Sequence, residues 1–549
     1  MTNIVGTANK PQGYLALVLH AHLPFVRHPE VSYMMEENWL FEAITETYLP
    51  LLSLLRNAQD DDVPVRFTLS LTPTLCTMLG DDLLGERYRS HLAKLLELAE
   101  KEVDRTKGKK AFHRTAHMYL EKLSGYRHLY ESYLQGDILG GFRYFQDIGM
   151  IEIITCGATH GFLPTMQIHP NAVRAQIAVA AESYRNIFNR SPLGIWLPEC
   201  GYYPGLETVL HSEGLRYFFT ESHGLLSADP PPEYGVYAPV YCREARVAAF
   251  ARDSESSRAV WSAQEGYPGH PSYRDFYRDI GFDLDIDYIK PYIDPIGIRI
   301  NTGIKYHRIT GSQQQKLPYE REEALRVAVE HAGNFMFNRQ RQTEYLHSIM
   351  ERPPVIVSPY DAELFGHWWY EGPEWLNFLF RKIAFEQNTL ALITPSDYLA
   401  LYPDNQVCTP SFSSWGEGGY SDVWLHENNN WIYRHLHHME ELMIEAATQH
   451  PDEAPGLARR TLNQMARELM LAESSDWAFI MKTGTMVNYA VRRTREHIAN
   501  FLRLHDDLEK NSIDPNFVAL LESHNNIFPE MDYMVYEGEH APQPSIMNR

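Results

Sequence analysis

The chain has 549 residues, of which 44% are hydrophobic and 12% aromatic, and modules of roughly 150 residues would make about three of them. Its 49 Lys and Arg residues against 71 Asp and Glu residues give a formal net charge of −22. This charge argues against nucleic acid and anionic membranes as partners, because binding to either requires basic groups that neutralise phosphate. The five scattered cysteines, together with a first segment that lacks an export signal, predict a soluble cytoplasmic protein.

Short apolar runs followed by polar residues recur along the chain and predict buried strands. They lie at 14–20, 65–73, 151–160, 194–199, 215–223 and 355–361. Helical patterns separate many of these runs, and strands that alternate with helices predict an α/β layer or barrel with parallel pairing. Since active sites of such folds collect at the carboxyl ends of the strands, the polar residues after each run are the candidate functional residues.

Three further segments depart from this alternation. Residues of about 83–138 are charged and amphipathic and predict a helical insertion. Residues of about 243–318 are rich in Tyr, Gly, Pro and Asp, and connections longer than about 15 residues are usually functional. From about 430 onward only helical patterns remain. The predicted domains are therefore a catalytic barrel over 1–80 and 140–425, a helical insertion over 81–139, and a C-terminal α-helical domain over 426–549.

Two carboxylates follow predicted strands in sequences that favour tight turns. Glu199 stands in GIWLPECGYYPG and Asp361 in VIVSPYDAELFGHWWYEG. Both residues also have a purely structural interpretation. Glu199 at a helix N-terminus would interact favourably with the helix dipole, and Asp361 would cap the helix that follows it. Paired carboxylates are nevertheless what glycoside chemistry requires, because one attacks the anomeric carbon while the other protonates the leaving oxygen. A separation of about 5–5.5 Å between them would give retention of configuration.

The histidines allow a second interpretation, a metal-dependent hydrolase. His20 and His22 are two residues apart, and with His160 and Asp361 they could complete a zinc site of a deacetylase-like or α-mannosidase-like hydrolase. Cys200 carries little weight as a nucleophile, because buried thiols are usually inert. Trp415 and Trp424, in SSWGEGGYSDVWL, suit a stacking platform for sugars, although a place in the core is the alternative.

These motifs resemble a known family. The segments HAHLPFVR, ATHGFLP, GIWLPECGY, SPYDAELFGHWW and SSWGEGGYSDVWL, in this order, are similar to the motifs of glycoside hydrolase family 57, and specifically to those of its 1,4-α-glucan branching enzymes. The resemblance runs from about residue 13 to about residue 505. It implies a distorted (β/α)7 barrel with a helical insertion and a C-terminal α-helical domain.

The resemblance also implies roles for individual residues. Glu199 would be the nucleophile and Asp361 the general acid/base, with no metal and no cofactor. A mobile loop with a Tyr at its tip is expected at 227–239, where Tyr234 is the candidate. The substrate-binding residues would be His20, His22, Trp39, His160, Tyr234, Trp261, His367, Trp415, Trp424, Asp476 and Trp477.

The function expected from the resemblance is a retaining branching enzyme that cleaves α-1,4-glucan and transfers the chain to a glucose 6-hydroxyl. The expected partner is an α-1,4-glucan such as amylose or glycogen, and the expected state is a monomer or a weak homo-oligomer. The alternatives are an α-amylase or a 4-α-glucanotransferase of the same family, the metal-dependent hydrolase, and a non-catalytic glucan-binding protein.

Overall fold

The computed structural model describes residues 10–262, 265–311, 316–451 and 453–537. The ends of the first and last predicted domains, at 1–9 and 538–549, lie outside these ranges. The strands are β1 (Gly13–Ala21), β2 (Phe67–Leu71), β3 (Ile151–Ile154), β4 (Gly194–Ile195), β5 (Tyr217–Thr220), β6 (Val240–Cys242), β7 (Ala248–Ala251), β8 (Val355–Asp361), β9 (Leu390–Leu392) and β10 (Val407–Cys408).

Most of the α-helices alternate with these strands, and those from Tyr433 onward follow the last strand along the chain. They are α1 (Glu37–Ala43), α2 (Leu49–Asp60), α3 (Pro73–Leu79), α4 (Asp82–Thr106), α5 (Lys110–Arg127), α6 (Ile138–Asp147), α7 (Leu163–Met166), α8 (Pro170–Phe188), α9 (Leu206–Ser212), α10 (Ser222–Leu226), α11 (Ser254–Trp261), α12 (Ile280–Asp283), α13 (Ile286–Ile289), α14 (Arg321–Ile349), α15 (Gly372–Phe385), α16 (Pro395–Leu401), α17 (Tyr433–Gln449), α18 (Leu457–Ala472), α19 (Ser475–Thr483), α20 (Val487–Glu509) and α21 (Pro515–His524). None of the helices in the described ranges has both the length and the apolar character needed to cross a membrane.

Seven parallel strands form a barrel from two sheets. One sheet has the order β3-β2-β1-β8 and the other contains β7-β5-β4. A parallel bridge between Thr155 and Ile195 joins the sheets after β3. On the other side the Asp253 amide, just after β7, donates to the Val357 carbonyl of β8 over 2.9 Å. The structure therefore confirms the distorted (β/α)7 barrel.

The alternation of side chains along β1 determines which of its residues face the interior of the barrel. Ala16 and Val18 pack inside it with alternate residues of the other strands, whereas Leu15, Leu17 and Leu19 pack against the surrounding helices. Because successive strand residues point to opposite faces, the inward series continues from Val18 to His20. The same period in β8 carries Val355 and Val357 inward and ends at Asp361, which is paired in register with His20.

Helices with clear end signals form the insertion between β2 and β3. The Asp81 side chain accepts a hydrogen bond from the Leu84 amide and caps α4. The buried face of α4 carries leucines at helical spacing, including Leu92 and Leu96, and α5 lies next to it. From Tyr433 onward the described chain is mainly helical, with α18 packed against α20. The exact limits of the three domains remain a prediction.

The predicted strands at 14–20 and 355–361 were found nearly at their predicted length, and the other four are shorter. The run at 194–199 forms only two strand residues and then turns sharply at Glu199. The barrel strand β7, with the sequence AAFA, was missed because it lies inside the loop-like segment 243–318. That segment also contains α11, α12 and α13.

Candidate active site

A cleft of about 760 Å³ opens at the carboxyl ends of the barrel strands. It contains eleven of the thirteen residues predicted for the site. They are His20, His22, Trp39, His160, Glu199, Trp261, Asp361, His367, Trp415, Trp424 and Asp476. The barrel, the 243–318 segment and the C-terminal helices thus all contribute to one concave surface.

Glu199 projects from a strained turn directly after β4. Its backbone φ is 61° and that of Cys200 is 51°, so two consecutive residues with side chains adopt the left-handed conformation. Such conformations are unfavourable outside glycine and concentrate at functional sites, where the surrounding structure holds them. The Cys200 thiol is buried and burial raises its pKa well above the ordinary value, so it is a poor nucleophile.

Two side chains donate hydrogen bonds to the Glu199 carboxylate. The Trp415 indole donates to Oε2 over 2.7 Å, and the Ser475 hydroxyl donates to Oε1 over 2.8 Å. Burial raises the pKa of Glu199, while the bonds from Trp415 and Ser475 lower it. Both donors stabilise the ionised form and so oppose the effect of burial, although the pKa of Glu199 stays above its ordinary value.

Asp361, at the end of β8, is half-buried and also lies near other negative charges. Burial, then the negative charges of Glu363 and Glu199, hold the pKa of Asp361 well above its ordinary value, and Arg252 opposes the shift. Among the described residues no side chain donates a hydrogen bond to it. The pKa of both carboxyls is raised, and that of Asp361 more strongly, so Asp361 keeps its proton to a higher pH than Glu199 does.

A chain of hydrogen bonds links His20 and His160 to Glu199. Because Ser475 donates to Glu199, its oxygen accepts from Nδ1 of His160 over 2.8 Å. The Nε2 atom of His160 is then an acceptor for Nε2 of His20 over 3.0 Å, and Nδ1 of His20 accepts from the Ser70 hydroxyl over 3.0 Å. Burial holds the pKa of both imidazoles well below the ordinary value, which agrees with two neutral rings.

His22 differs from the other two imidazoles because it faces a carboxylate. Its Nε2 atom lies 2.8 Å from Oδ2 of Asp476, which also accepts from Ser474 over 2.6 Å. Although burial opposes the shift, Asp476 raises the pKa of His22, and the charge of His22 in turn lowers the pKa of Asp476. The pair is therefore a half-buried imidazolium and carboxylate that join the barrel to the start of α19.

Aromatic side chains line the walls of the cleft. Trp415 packs edge-on against Trp196 below it and Trp261 beside it, with ring centroids 5.0 and 6.1 Å away. Phe276 and Trp368 are stacked with centroids 4.4 Å apart, and Trp368 is 54% exposed. Flat exposed rings of this kind are suited to the apolar faces of sugars.

The structure brings two of the predicted residues to places outside the cleft. Tyr234 packs with Tyr237 against the end of α14. The Tyr237 carbonyl accepts from the amide of Val355, the first residue of β8, so this part of the loop lies at the amino end of the barrel. Trp477 is fully buried and its indole donates to the Leu471 carbonyl over 2.8 Å, which leaves it no free face for a sugar.

The candidate metal ligands form a different arrangement from the predicted set. Among the described residues, ligand atoms gather within 4.8 Å as His20, Cys156 and His160, and as His22, His160 and Asp476, and neither group includes Asp361. Both ring nitrogens of His20 and His160, and Nε2 of His22, take part in the hydrogen bonds described above. The arrangement is explained by those bonds and by the ion pair, and the expectation of chemistry without a metal stays a prediction.

Sequence comparison adds the family to this geometry. Residues 16–410 match the model described as glycosyl hydrolase family 57. The chain belongs to glycoside hydrolase family 57. Residues 435–536 also match a second model, the C-terminal region of 1,4-alpha-glucan branching enzymes. The family 57 membership expected from the sequence motifs is thereby confirmed.

Named relatives of this family 57 chain cover most of its length. A 1,4-alpha-glucan branching enzyme of Thermococcus kodakarensis is 32% identical over 97% of this chain and 80% of the relative. The crystal structure of alpha-amylase AmyC of Thermotoga maritima has a TM-score of 0.90 at 47% identity, covering 96% of this chain and 99% of that chain. A branching enzyme structure from Pyrococcus horikoshii has a TM-score of 0.86 at 31% identity, covering 97% and 98%.

Sequence reasoning missed several residues of the family 57 site. Ser475 lies inside the segment SSDWAFIMKTGT, where only its two successors were selected. Glu363 and Trp368 stand close behind Asp361 and could have been chosen for that spacing. Arg252 and Phe276, which also line the cleft, lie in the segment 243–318 and had no signal of their own.

Proposed function

We propose that the chain is a retaining 1,4-α-glucan branching enzyme. The observation that carries the proposal is the match of residues 435–536 to the C-terminal model of branching enzymes. This is the region that supplies Ser475 to Glu199 and Asp476 to His22. The branching enzyme relative that spans 97% of the chain supports the same conclusion.

In the proposed reaction Glu199 is the nucleophile and Asp361 the general acid/base. Glu199 attacks the anomeric carbon of an α-1,4-linked glucose while Asp361 protonates the departing 4-oxygen, which gives a glycosyl ester on Glu199. Asp361, now ionised, removes the proton from a 6-hydroxyl of the acceptor. That oxygen attacks the same anomeric carbon, the ester bond breaks, and an α-1,6 linkage forms.

The residues around the two carboxylates have separate tasks in this proposal. Trp415 and Ser475 keep Glu199 ionised and oriented through their hydrogen bonds. Burial and then the negative charge of Glu363 raise the pKa of Asp361, so that Asp361 can donate its proton to the leaving oxygen. The aromatic walls, including Trp261 and the pair of Phe276 and Trp368, bind the glucan and exclude water, which would otherwise compete with the acceptor.

A second candidate function is hydrolysis of the same substrate. The alpha-amylase from Thermotoga maritima is 47% identical to this chain, whereas the branching enzymes named above are 31% and 32% identical. Both activities use the same glycosyl ester, and they differ in whether water or a sugar hydroxyl resolves it. Branching and hydrolysis therefore share the α-1,4-glucan donor and differ in the acceptor, which is a sugar hydroxyl in branching and water in hydrolysis.

Proton NMR of amylose incubated with the purified protein tests the proposal. We expect new α-1,6 anomeric signals in excess of new reducing ends. Reducing ends without α-1,6 signals would replace the proposal with the amylase. Retained activity after treatment with a chelator is expected as well, and stoichiometric zinc with chelator-sensitive activity would overturn the carboxylate mechanism.

The remaining expectations are also part of the proposal. The substrate is an α-1,4-glucan, the protein is a monomer or a weak homo-oligomer, and it acts in the cytoplasm. Five free buried cysteines support a reducing compartment. Sedimentation of the purified protein tests the oligomeric state.

A further inference from the structure

A second cavity, of about 400 Å³, lies beside the cleft. It is bounded by α1, by α4 of the helical insertion and by the segment that carries Asn301, and Asn301 lines both cavities. Helix α1 separates them, because Trp39 and Glu42 face the cleft whereas Asn38 and Phe41 face the second cavity. We call this second cavity the side pocket.

The lining of the side pocket is mainly apolar and carries several polar groups, a combination that suits an uncharged ligand such as a sugar, which has both apolar faces and hydroxyl groups. Burial lowers the pKa of His91 to about 4, so its ring is neutral near pH 7 and offers one donor and one acceptor. Among the described residues neither ring nitrogen of His91 has a hydrogen-bond partner. Ser90 and Glu86, both exposed on α4, and Tyr33 add hydroxyl and carboxylate groups to the lining.

Branching requires space for three chain arms at one point. An acceptor glucose that is attacked through its 6-oxygen keeps its neighbours on both its 1-oxygen and its 4-oxygen, while the donor chain enters along a third direction. A single groove accommodates two of these arms. Hydrolysis needs no acceptor chain at all, so a third binding direction is a requirement of branching alone.

We infer that the side pocket binds one arm of the acceptor glucan while its 6-hydroxyl faces the glycosyl ester on Glu199. The inference rests on the proposed branching function and names a site for its acceptor. Asn301 lines both cavities, so the side pocket lies next to the cleft at this residue. A volume of 400 Å³ is within the range of about 300–1,000 Å³ found for ligand pockets.

Filling the side pocket tests the inference. Ser90→Trp places an indole in it from an exposed position on α4, and Glu86→Trp does so one turn earlier. Ala93→Trp is the matched control, because Ala93 is exposed on the same helix and does not line the side pocket. Each protein is given α-maltosyl fluoride as donor and maltoheptaose as acceptor, and α-1,6 product, α-1,4 product and free maltose are measured.

We expect both filling variants to raise the KM for maltoheptaose about 10-fold or more and to shift the donor from α-1,6 transfer to water. The control should match the wild-type protein. If both filling variants keep the wild-type KM and product ratio, the side-pocket inference is wrong although branching stands. If the wild-type protein forms no α-1,6 product, the proposed function fails first and the inference fails with it.

Discussion

Ser475 donates a hydrogen bond of 2.8 Å to Oε1 of Glu199 from the first residue of α19. The hydroxyl oxygen of Ser475 accepts from Nδ1 of His160, and the His160 carbonyl accepts from the Ser475 amide over 3.1 Å. The C-terminal helices therefore complete the site on the barrel, because Ser475 joins the hydrogen-bonded neutral imidazoles to Glu199.

Ser475→Ala should lower kcat/KM about 10- to 100-fold, since a hydrogen bond to a charged group is worth about 1.5–3 kcal/mol. The Ser475 bond lowers the pKa of Glu199, so without it Glu199 ionises at higher pH. The acidic limb of the pH–rate profile should accordingly move to higher pH. Ser475→Thr keeps the hydroxyl and should restore the wild-type profile, and an unmoved limb in Ser475→Ala would refute this positioning role.

The two carboxylates should respond differently to an activated donor. Glu199→Gln should abolish turnover with every donor, because no glycosyl ester can form. Asp361→Asn should lose activity on amylose yet still release fluoride from α-maltosyl fluoride, because a good leaving group needs little protonation. An equal loss with both donors in Asp361→Asn would argue against its role as the acid.

Glu363→Gln should narrow the pH range of activity from the alkaline side. Burial and then the charge of Glu363 raise the pKa of Asp361. Without the Glu363 charge, Asp361 loses its proton at lower pH. Since protonated Asp361 is the active acid, the basic limb of the pH–rate profile moves to lower pH. The Tyr48 hydroxyl donates to Glu363 over 2.5 Å, so the melting temperature must be compared to exclude misfolding. If the variant folds and the basic limb of its pH–rate profile does not move, Glu363 does not control the pKa of Asp361.

Trp415 combines two tasks that substitution can separate. Its indole donates to Glu199 over 2.7 Å, and its ring packs beside Trp261 in the cleft. Trp415→Phe should keep most of the stacking surface and lose the donor, so that kcat falls and the acidic limb moves to higher pH. Trp415→Ala should in addition raise the KM for glucan, and equal KM values in the two variants would refute the stacking role.

A buried carboxyl pair in the helical region should make stability depend on pH. Burial and then the charge of Glu473 raise the pKa of Glu440, and burial raises that of Glu473. An unfolded Glu loses its proton near pH 4.3, so the folded state binds more protons above that pH and stability falls as pH rises towards the folded pKa values. Glu440→Gln should melt higher than the wild-type protein at pH 8.5, with a smaller difference at pH 5. A difference independent of pH would contradict this.

The sequence predicted the barrel because six of its seven strands lie in apolar runs with polar ends, and His20 and Asp361 lie at two of those ends. It predicted Glu199 from a strand, a proline and a glycine, although the left-handed φ could not be foreseen. Ser475 and the positions of Tyr234 and Trp477 depend on how distant segments pack. A serine or a buried indole has no pattern of its own, so the three-dimensional contacts alone distinguish it from its neighbours.

The most direct test of the account is to identify the residue that carries the sugar. Asp361→Asn is incubated with a fluorinated α-maltosyl fluoride, whose second step is slow, and the peptides of the quenched protein are analysed by mass spectrometry. The account predicts one glycosyl ester on the peptide that contains Glu199, located to that residue by fragmentation. An ester on Glu363 or on another residue, or steady turnover without any adduct, would contradict it.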